Sequence, residues 1–405
     1  MAIDLQNREI RTLTSAWTHK HVSRIAEQSF DTVDVITGHD ATPLLPGIVL
    51  WDMWPIQSSD GSIADIAGGA VWMALAAPDR SDPALRHFEA RIRLLHLKEG
   101  QWRDLGWALP DTDYAFEREW AGTALLKNGI VSLFFTAAGV ANNPGGYQQH
   151  LFETHGTLQA DGQISNWTPL QESVANNGLY YHIADQQEGE PGKIKAFRDP
   201  AYFCDPADGQ EYLLFTGSLA GPASEYNGAI GIARRSDNGG WELLPPLLHA
   251  DGVNNELERA HMVSKDGLYY VFWVTQAGTF NPEGPIGPTG LYGMVSDSLF
   301  GEYEPLNGSG LVLANPPEEP MRVILRQRLR RVGRHHQVRQ PQGQAVDHNE
   351  RVRVAVPRQR LGQRQRLLHR DHARHPFGAV ALVARDALAH LVVPGLSGGD
   401  HHGAV

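Results

Sequence analysis

Four stretches of the chain repeat one arrangement of hydrophobic and polar positions. Each opens on a polar motif that carries an acid. A dipeptide ending in glycine follows nine or ten residues later, and then a continuous apolar run. The first stretch joins Asp52 in WDMWP to Asp60-Gly61 and GGAVWMALAA. The second joins Glu119 in EREWAG to Asn128-Gly129 and IVSLFFTAAG. The third joins Asp199 in FRDPAYF to Asp208-Gly209 and QEYLLFTGSLAG. The fourth joins Glu258 in ELERAHMV to Asp266-Gly267 and LYYVFWVTQAG.

DG and NG dipeptides favour the type I′ turn of a two-residue β-hairpin, because both residues tolerate positive φ. The runs that follow are aliphatic and aromatic, as buried strands are. Successive turn glycines lie 68, 80 and 58 residues apart. Units of that size, each with room for a few strands, predict an all-β protein built from propeller blades. Four acids at equivalent places on four inner strands would converge on one central axial pocket. The competing explanation is that DG turns recur by chance in any β protein.

Composition narrows this only a little. The chain has 405 residues, of which 41% are hydrophobic, enough for two domains or for one large propeller or barrel. Its 42 Gly and 25 Pro favour turns and short strands over long helices. Cys204 is the one cysteine, so no internal disulfide and no Cys/His zinc site is expected. The N-terminal residues contain no apolar core of signal-peptide type, and no apolar run is long enough to span a membrane.

Charge changes the picture more. The net charge of −11 is unevenly spread: residues 321–405 hold 16 Arg, no Lys and 5 acids, whereas residues 1–320 hold 19 basic and 41 acidic residues. All 10 Trp and all 11 Tyr also lie before residue 321. The chain therefore divides into a β domain over 1–320 and an Arg/His/Gln-rich segment over 321–405. The fifth aromatic hairpin due near residue 330 is absent from that segment.

A β-lined pocket with carboxylates, an arginine and tryptophans suits sugar chemistry. Retaining glycoside hydrolysis needs one carboxylate as nucleophile and a second as acid/base. Tryptophan faces stack on sugar rings, and arginine supplies paired donors. Taken singly the residues leave alternatives open. Asp52 and Asp199, near Pro55 and Pro200, read equally as turn residues. Glu258 and Arg259 read as a surface pair, Glu256 as a residue that orients Glu258, and Trp51 and Trp120 as core.

Taken in order, WDMWPIQ, REWAGTA, FRDPAYF, ELERAH and PLNGSGLVLANP resemble the motifs of family 68 of the glycoside hydrolases, the levansucrases, inulosucrases and related β-fructofuranosidases. The resemblance runs from about residue 15 to 320. It implies a five-bladed β-propeller that acts on sucrose and passes fructose to water, sucrose or a fructan. It implies Asp52 as nucleophile, Glu258 as acid/base and Asp199 as the carboxylate that stabilises the transition state. Trp51, Trp120, Arg198 and Glu256 are implied to bind substrate. No cofactor or metal is expected, since Asn255 stands where some relatives have a calcium-binding Asp. Nucleic acid and membrane are not expected partners, and the protein is expected to be an extracellular monomer.

Three departures bear on these expectations. Ala121 replaces a serine that would add a hydroxyl beside the nucleophile. Gln276 stands where an Arg or His handles the acceptor, which puts polymer synthesis in question. After residue 320 the Tyr-rich strand and NG hairpin of a fifth blade are replaced by Arg, Gln and His. An out-of-frame translation accounts for that composition better than a basic nucleic-acid tail, which would carry Lys and interleaved aromatics. If the missing blade leaves the pocket open, the class-level alternative is a sugar-binding propeller without activity.

Overall fold

The computed structural model describes residues 14–33, 43–80, 85–185, 195–222 and 224–318. A short leading strand, β1 (Ser15–Ala16), and one turn of helix, α1 (His19–Ser23), precede four antiparallel meanders. The first meander is β2 (Ile48–Gln57), β3 (Ala70–Pro78), β4 (Arg91–Lys98) and β5 (Gln101–Trp107). The second is β6 (Arg118–Lys127), β7 (Ile130–Ala138) and β8 (Gln149–Leu158), edged by β9 (Ile164–Ser165) and β10 (Gln171–Val174). The third is β11 (Phe197–Cys204), β12 (Glu211–Ser218), β13 (Gly228–Arg235) and β14 (Trp241–His249). The fourth is β15 (Glu258–Lys265), β16 (Leu268–Thr275) and β17 (Gly290–Ser296), edged by β18 (Glu304–Pro305) and β19 (Leu311–Ala314).

The architecture is all-β, as the sequence pattern predicts, and each of the four repeats occupies the first two strands of one meander. The turns are less uniform than the dipeptides suggest. Asn128-Gly129 and Asp266-Gly267 form two-residue hairpins with positive φ at both positions. Asp60-Gly61 instead lies in a longer loop, where the Asp60 carboxylate accepts from the Ser62 amide and hydroxyl. Asp208-Gly209 sits in a loop closed by the Gly209 amide on the Asp205 carbonyl. A further tight hairpin, Glu99-Gly100, joins β4 to β5 and was not anticipated. The dipeptide sets local φ, but side-chain bonds to nearby amides can stabilise a longer loop in its place.

Apolar residues fill the spaces between neighbouring meanders. Trp54, Ile56, Met73, Leu75, Leu133 and Phe135 pack the first against the second. Phe134, Leu151, Tyr202, Leu213 and Phe215 pack the second against the third. The leading segment ties the third to the fourth: β1 pairs in parallel with β14, and Trp17 is buried edge-on against Trp273 and Tyr292. The first strands of successive meanders, β2, β6, β11 and β15, are near neighbours, and β2 and β6 pair in parallel at Ile56 and Ala124. Residues 321–405, and with them the expectations of a missing fifth unit, a frame change or a basic tail, lie outside the described residues.

Candidate active site

Each inner strand carries one irregularity at the same place. The register slips by one residue between Trp51 and Trp54 in β2, and between Trp120 and Gly122 in β6. It slips likewise between Arg198 and Ala201 in β11, and between Glu258 and His261 in β15. Three of these β-bulges hold a non-glycine residue in the left-handed region: Asp52 at φ 48°, Asp199 at φ 59° and Arg259 at φ 54°. Each such residue costs about 1–2 kcal/mol, so strain of this kind marks positions that re-aim a side chain.

The bulges correct the equivalence read from the sequence. The matching positions are Asp52, Ala121, Asp199 and Arg259, not four acids. Glu119 lies ahead of its bulge, and its carboxylate turns to the neighbouring meander. There it accepts from the Ile92 amide at 2.6 Å and faces Arg91 at 3.8 Å. It joins β6 to β4 and takes no part in the central cluster.

That cluster is built around Arg198. Its Nη2 donates to Glu256 Oε1 at 3.0 Å and to Glu258 Oε1 at 2.9 Å, and its Nε lies 3.6 Å from Asp199 Oδ2. Glu258 and Arg259 are therefore no surface pair: Arg259 Nη1 faces Asp52 Oδ2 at 3.9 Å, and its guanidinium lies 5.6 Å over the Trp54 ring. Asp199 is anchored at both ends. Its amide donates to Thr136 Oγ1 at 2.8 Å, and its Oδ2 accepts from Thr216 Oγ1 at 3.1 Å. Glu256 donates its amide to Asn254 Oδ1, and its carbonyl accepts from Thr275 Oγ1.

Four carboxylates and two guanidiniums thus meet in a largely buried cluster. Burial pushes Asp52 up to about 6; Arg259 opposes the shift, while Asp199 and Glu258 add to it. Burial likewise raises Asp199 against the pull of Arg198 and Arg259. Burial pushes Glu256 up to about 7, with Arg198 opposing. For Arg198 burial works against the charge, but Glu256, Glu258 and Asp199 outweigh it and hold the guanidinium protonated. Carboxyls displaced toward neutral pH around a fixed cation are the equipment of proton-transfer chemistry.

The predicted tryptophans sit beside this cluster in different ways. Trp51 is buried, with Arg86 5.3 Å over its ring and His87 edge-on at 5.9 Å. Trp120 is half-buried; its indole donates to the His87 carbonyl and Arg118 lies 5.1 Å over its ring. Ala121 is buried among apolar residues, and its carbonyl accepts from Thr136. Sequence reasoning missed Arg86, His87 and Arg118. Arg118 lies within the motif REWAGTA but was not singled out there, and the other two lie on the turn Leu85–Phe88, which has no repeat to flag it. It also missed the Asp52-facing role of Arg259, although ELERAH contains it. Among the described residues no group of three or more His, Cys, Asp or Glu is placed to hold a metal ion.

Fold and cluster together define an all-β protein with a carboxylate centre clamped by arginines and bordered by tryptophans, the class of apparatus that works on sugars. The model of the levansucrase/invertase family, family 68 of the glycoside hydrolases, matches residues 6–227 and 221–325, and the chain belongs to that family. A levansucrase of Rahnella aquatilis is 31% identical over 351 residues, covering 76% of this chain and 82% of the relative. An extracellular sucrase of Zymomonas mobilis is 33% identical over 340 residues, covering 76% and 80%. Among solved structures, an inulosucrase from Halalkalicoccus jeotgali bound to kestose superposes with a TM-score of 0.70 at 38% identity, covering 76% of this chain and 79% of that one. The protein is an enzyme of the glycoside hydrolase/fructosyltransferase class.

Proposed function

We propose that the protein cleaves sucrose with retention through a covalent fructosyl-enzyme. The observation that carries this reading is the single cluster in which Arg198 holds Glu256 and Glu258 while Arg259 faces Asp52. The Asp52 carboxylate attacks the anomeric carbon of the fructosyl unit. The Glu258 carboxyl gives its proton to the departing glucosyl oxygen, so the C–O bond breaks and glucose leaves. Glu258, now a carboxylate, takes a proton from the acceptor hydroxyl, whose oxygen displaces Asp52. Asp199 and Arg198 hold fructosyl hydroxyls, and the Asp199 carboxylate meets the positive charge that develops on the ring. Glu256 shares the Arg198 clamp, and Trp51 and Trp120 wall the sugar.

The acceptor is water, sucrose or a growing fructan. The four meanders form four blades of a five-bladed propeller whose inner strands surround an axial pocket, and the enzyme acts outside the cell. The name of the Zymomonas relative supports that location, and no described helix is long and apolar enough to cross a membrane. Incubation with sucrose tests the reading. Glucose release that Asp52→Asn abolishes is the expected result, with free glucose above free fructose where transfer outruns hydrolysis. Sucrose binding without glucose release would favour the non-catalytic alternative.

A further inference from the structure

We propose that Thr216 is a positioning residue: its buried hydroxyl sets both the Asp199 carboxylate and the Arg259 turn against the reacting sugar. Thr216 lies on β12, directly opposite Arg198, and is fully buried. Its Oγ1 donates to Asp199 Oδ2 at 3.1 Å and accepts from the Arg259 amide at 3.0 Å. A hydroxyl has one proton to give, and here it goes to the carboxylate, leaving a lone pair for the amide. The chain Arg259 N–H to Oγ1–H to carboxylate is therefore polarised in one direction, and each bond strengthens the other while Asp199 is ionised. The contact also draws the Asp199 carboxyl downward against burial.

The placement is selective. Thr136, at the matching position of β7 opposite Trp120, does the same for the preceding bulge: it accepts from the Asp199 amide and donates to the Ala121 carbonyl. At the matching positions of β3 and β16 stand Leu75 and Val274, which carry no hydroxyl. Threonine thus occurs beneath the bulges that aim Asp199 and Arg259, and each hydroxyl reaches from one meander to the bulge of the next. Through Arg259, which faces Asp52 at 3.9 Å, the Thr216 bond bears on the nucleophile as well. Thr216 does not touch substrate; it acts through the groups that do.

The inference rests on the sucrose reading above, and the test separates the two. Sucrose turnover by the full chain is compared for wild type, Thr216→Val, Thr216→Ser and Asp199→Asn, well below the melting temperature of each. Thr216→Val keeps the shape and removes both bonds, so kcat should fall about 10- to 100-fold with little change in KM. The acidic limb of the kcat/KM profile should move to higher pH, and Thr216→Ser should restore most of the rate. If Thr216→Val does not fold, Thr216→Cys, a weaker donor, decides by the same split of kcat from KM. A Val or Cys variant with wild-type kcat and an unmoved pH limb overturns the proposal, as does a Ser variant no better than Val. In that case an inactive Asp199→Asn leaves the sucrose reading standing. No turnover by wild type, or full activity in Asp199→Asn, sinks that reading and the Thr216 proposal with it.

Discussion

Asp52→Asn should make the protein more stable and nearly inactive, and the stability gain should depend on pH in a defined way. Burial raises the Asp52 carboxyl from 3.8 to about 6 in the folded protein. A carboxyl with a raised folded pKa holds its proton more firmly folded than unfolded. Wild-type stability is therefore highest, as far as this group is concerned, below pH ~4, and is lost as pH rises through ~6. Two units at 1.36 kcal/mol each set the effect at roughly 2–3 kcal/mol. The side chain is 27% exposed, which keeps the figure toward the lower end of that range. Asparagine mimics the neutral carboxyl, so its advantage is absent below pH ~4 and complete above pH ~6. Thermal melts across that range should show the variant melting together with wild type in acid and roughly 3 °C higher at neutral pH. In the same preparations glucose release should fall at least ~10³-fold. A variant that melts lower than wild type at neutral pH, or by a difference that ignores pH, would refute the claim that the site keeps an unfavourably buried charge at residue 52. Retained glucose release would refute its role as nucleophile.

Other outcomes follow from the same geometry. Glu119→Gln should keep kcat within about 3-fold of wild type in the sucrose assay, because Glu119 joins β6 to β4 and not to the cluster; a large loss would return it to the site. Arg198→Ala should lower the melting temperature sharply, since removing one partner of a buried ion pair costs roughly 3–5 kcal/mol and here strands Glu256 and Glu258 together. Translating the gene downstream of codon 320 in its other two frames should recover a Tyr-rich strand with an NG hairpin; if neither frame contains one, the frame-change account fails.

The all-β class was readable because apolar runs of strand length recur beside turn dipeptides, and that signal survives any error in the turns. The carboxylates Asp52, Asp199, Glu256 and Glu258 were readable from ordered motifs. Their mutual contacts were not, because Arg198 meets Glu256 and Glu258 across some 58 and 60 residues of chain. The repeat itself misled at Glu119. Counting back from a hairpin glycine tracks the bulge only to within a residue or two, and a shift of one residue turns a strand side chain to the opposite face. Glu119 and Glu258 both carry an acid near the right place, but only the register slip in the folded sheet decides which way each one points. Arg86 and His87 had no pattern to betray them, since they reach Trp51 and Trp120 from a short turn outside the strands.

The bulges also explain how a sheet framework can assemble charges that repel one another. A regular strand places alternate side chains on opposite faces, so two consecutive residues cannot both address the same centre. The slip at Arg198 and Asp199 lets them do so: the guanidinium lies 3.6 Å from the carboxylate of its own neighbour. The same slip follows Glu258, so that Glu258 meets Arg198 while Arg259 faces Asp52. Left-handed φ at Asp52, Asp199 and Arg259 together costs about 3–6 kcal/mol. Hydrogen bonds from the Asp199 and Arg259 amides to Thr136 and Thr216 offset part of it at two of the three sites. No described hydroxyl does this for Asp52. Its turn is held instead by the flanking Trp51 and Trp54, both buried, and by the facing Arg259. The tryptophans on either side of that carboxylate are thus the apolar brackets of a strained turn, and the carboxylate between them faces Arg259 of the cluster.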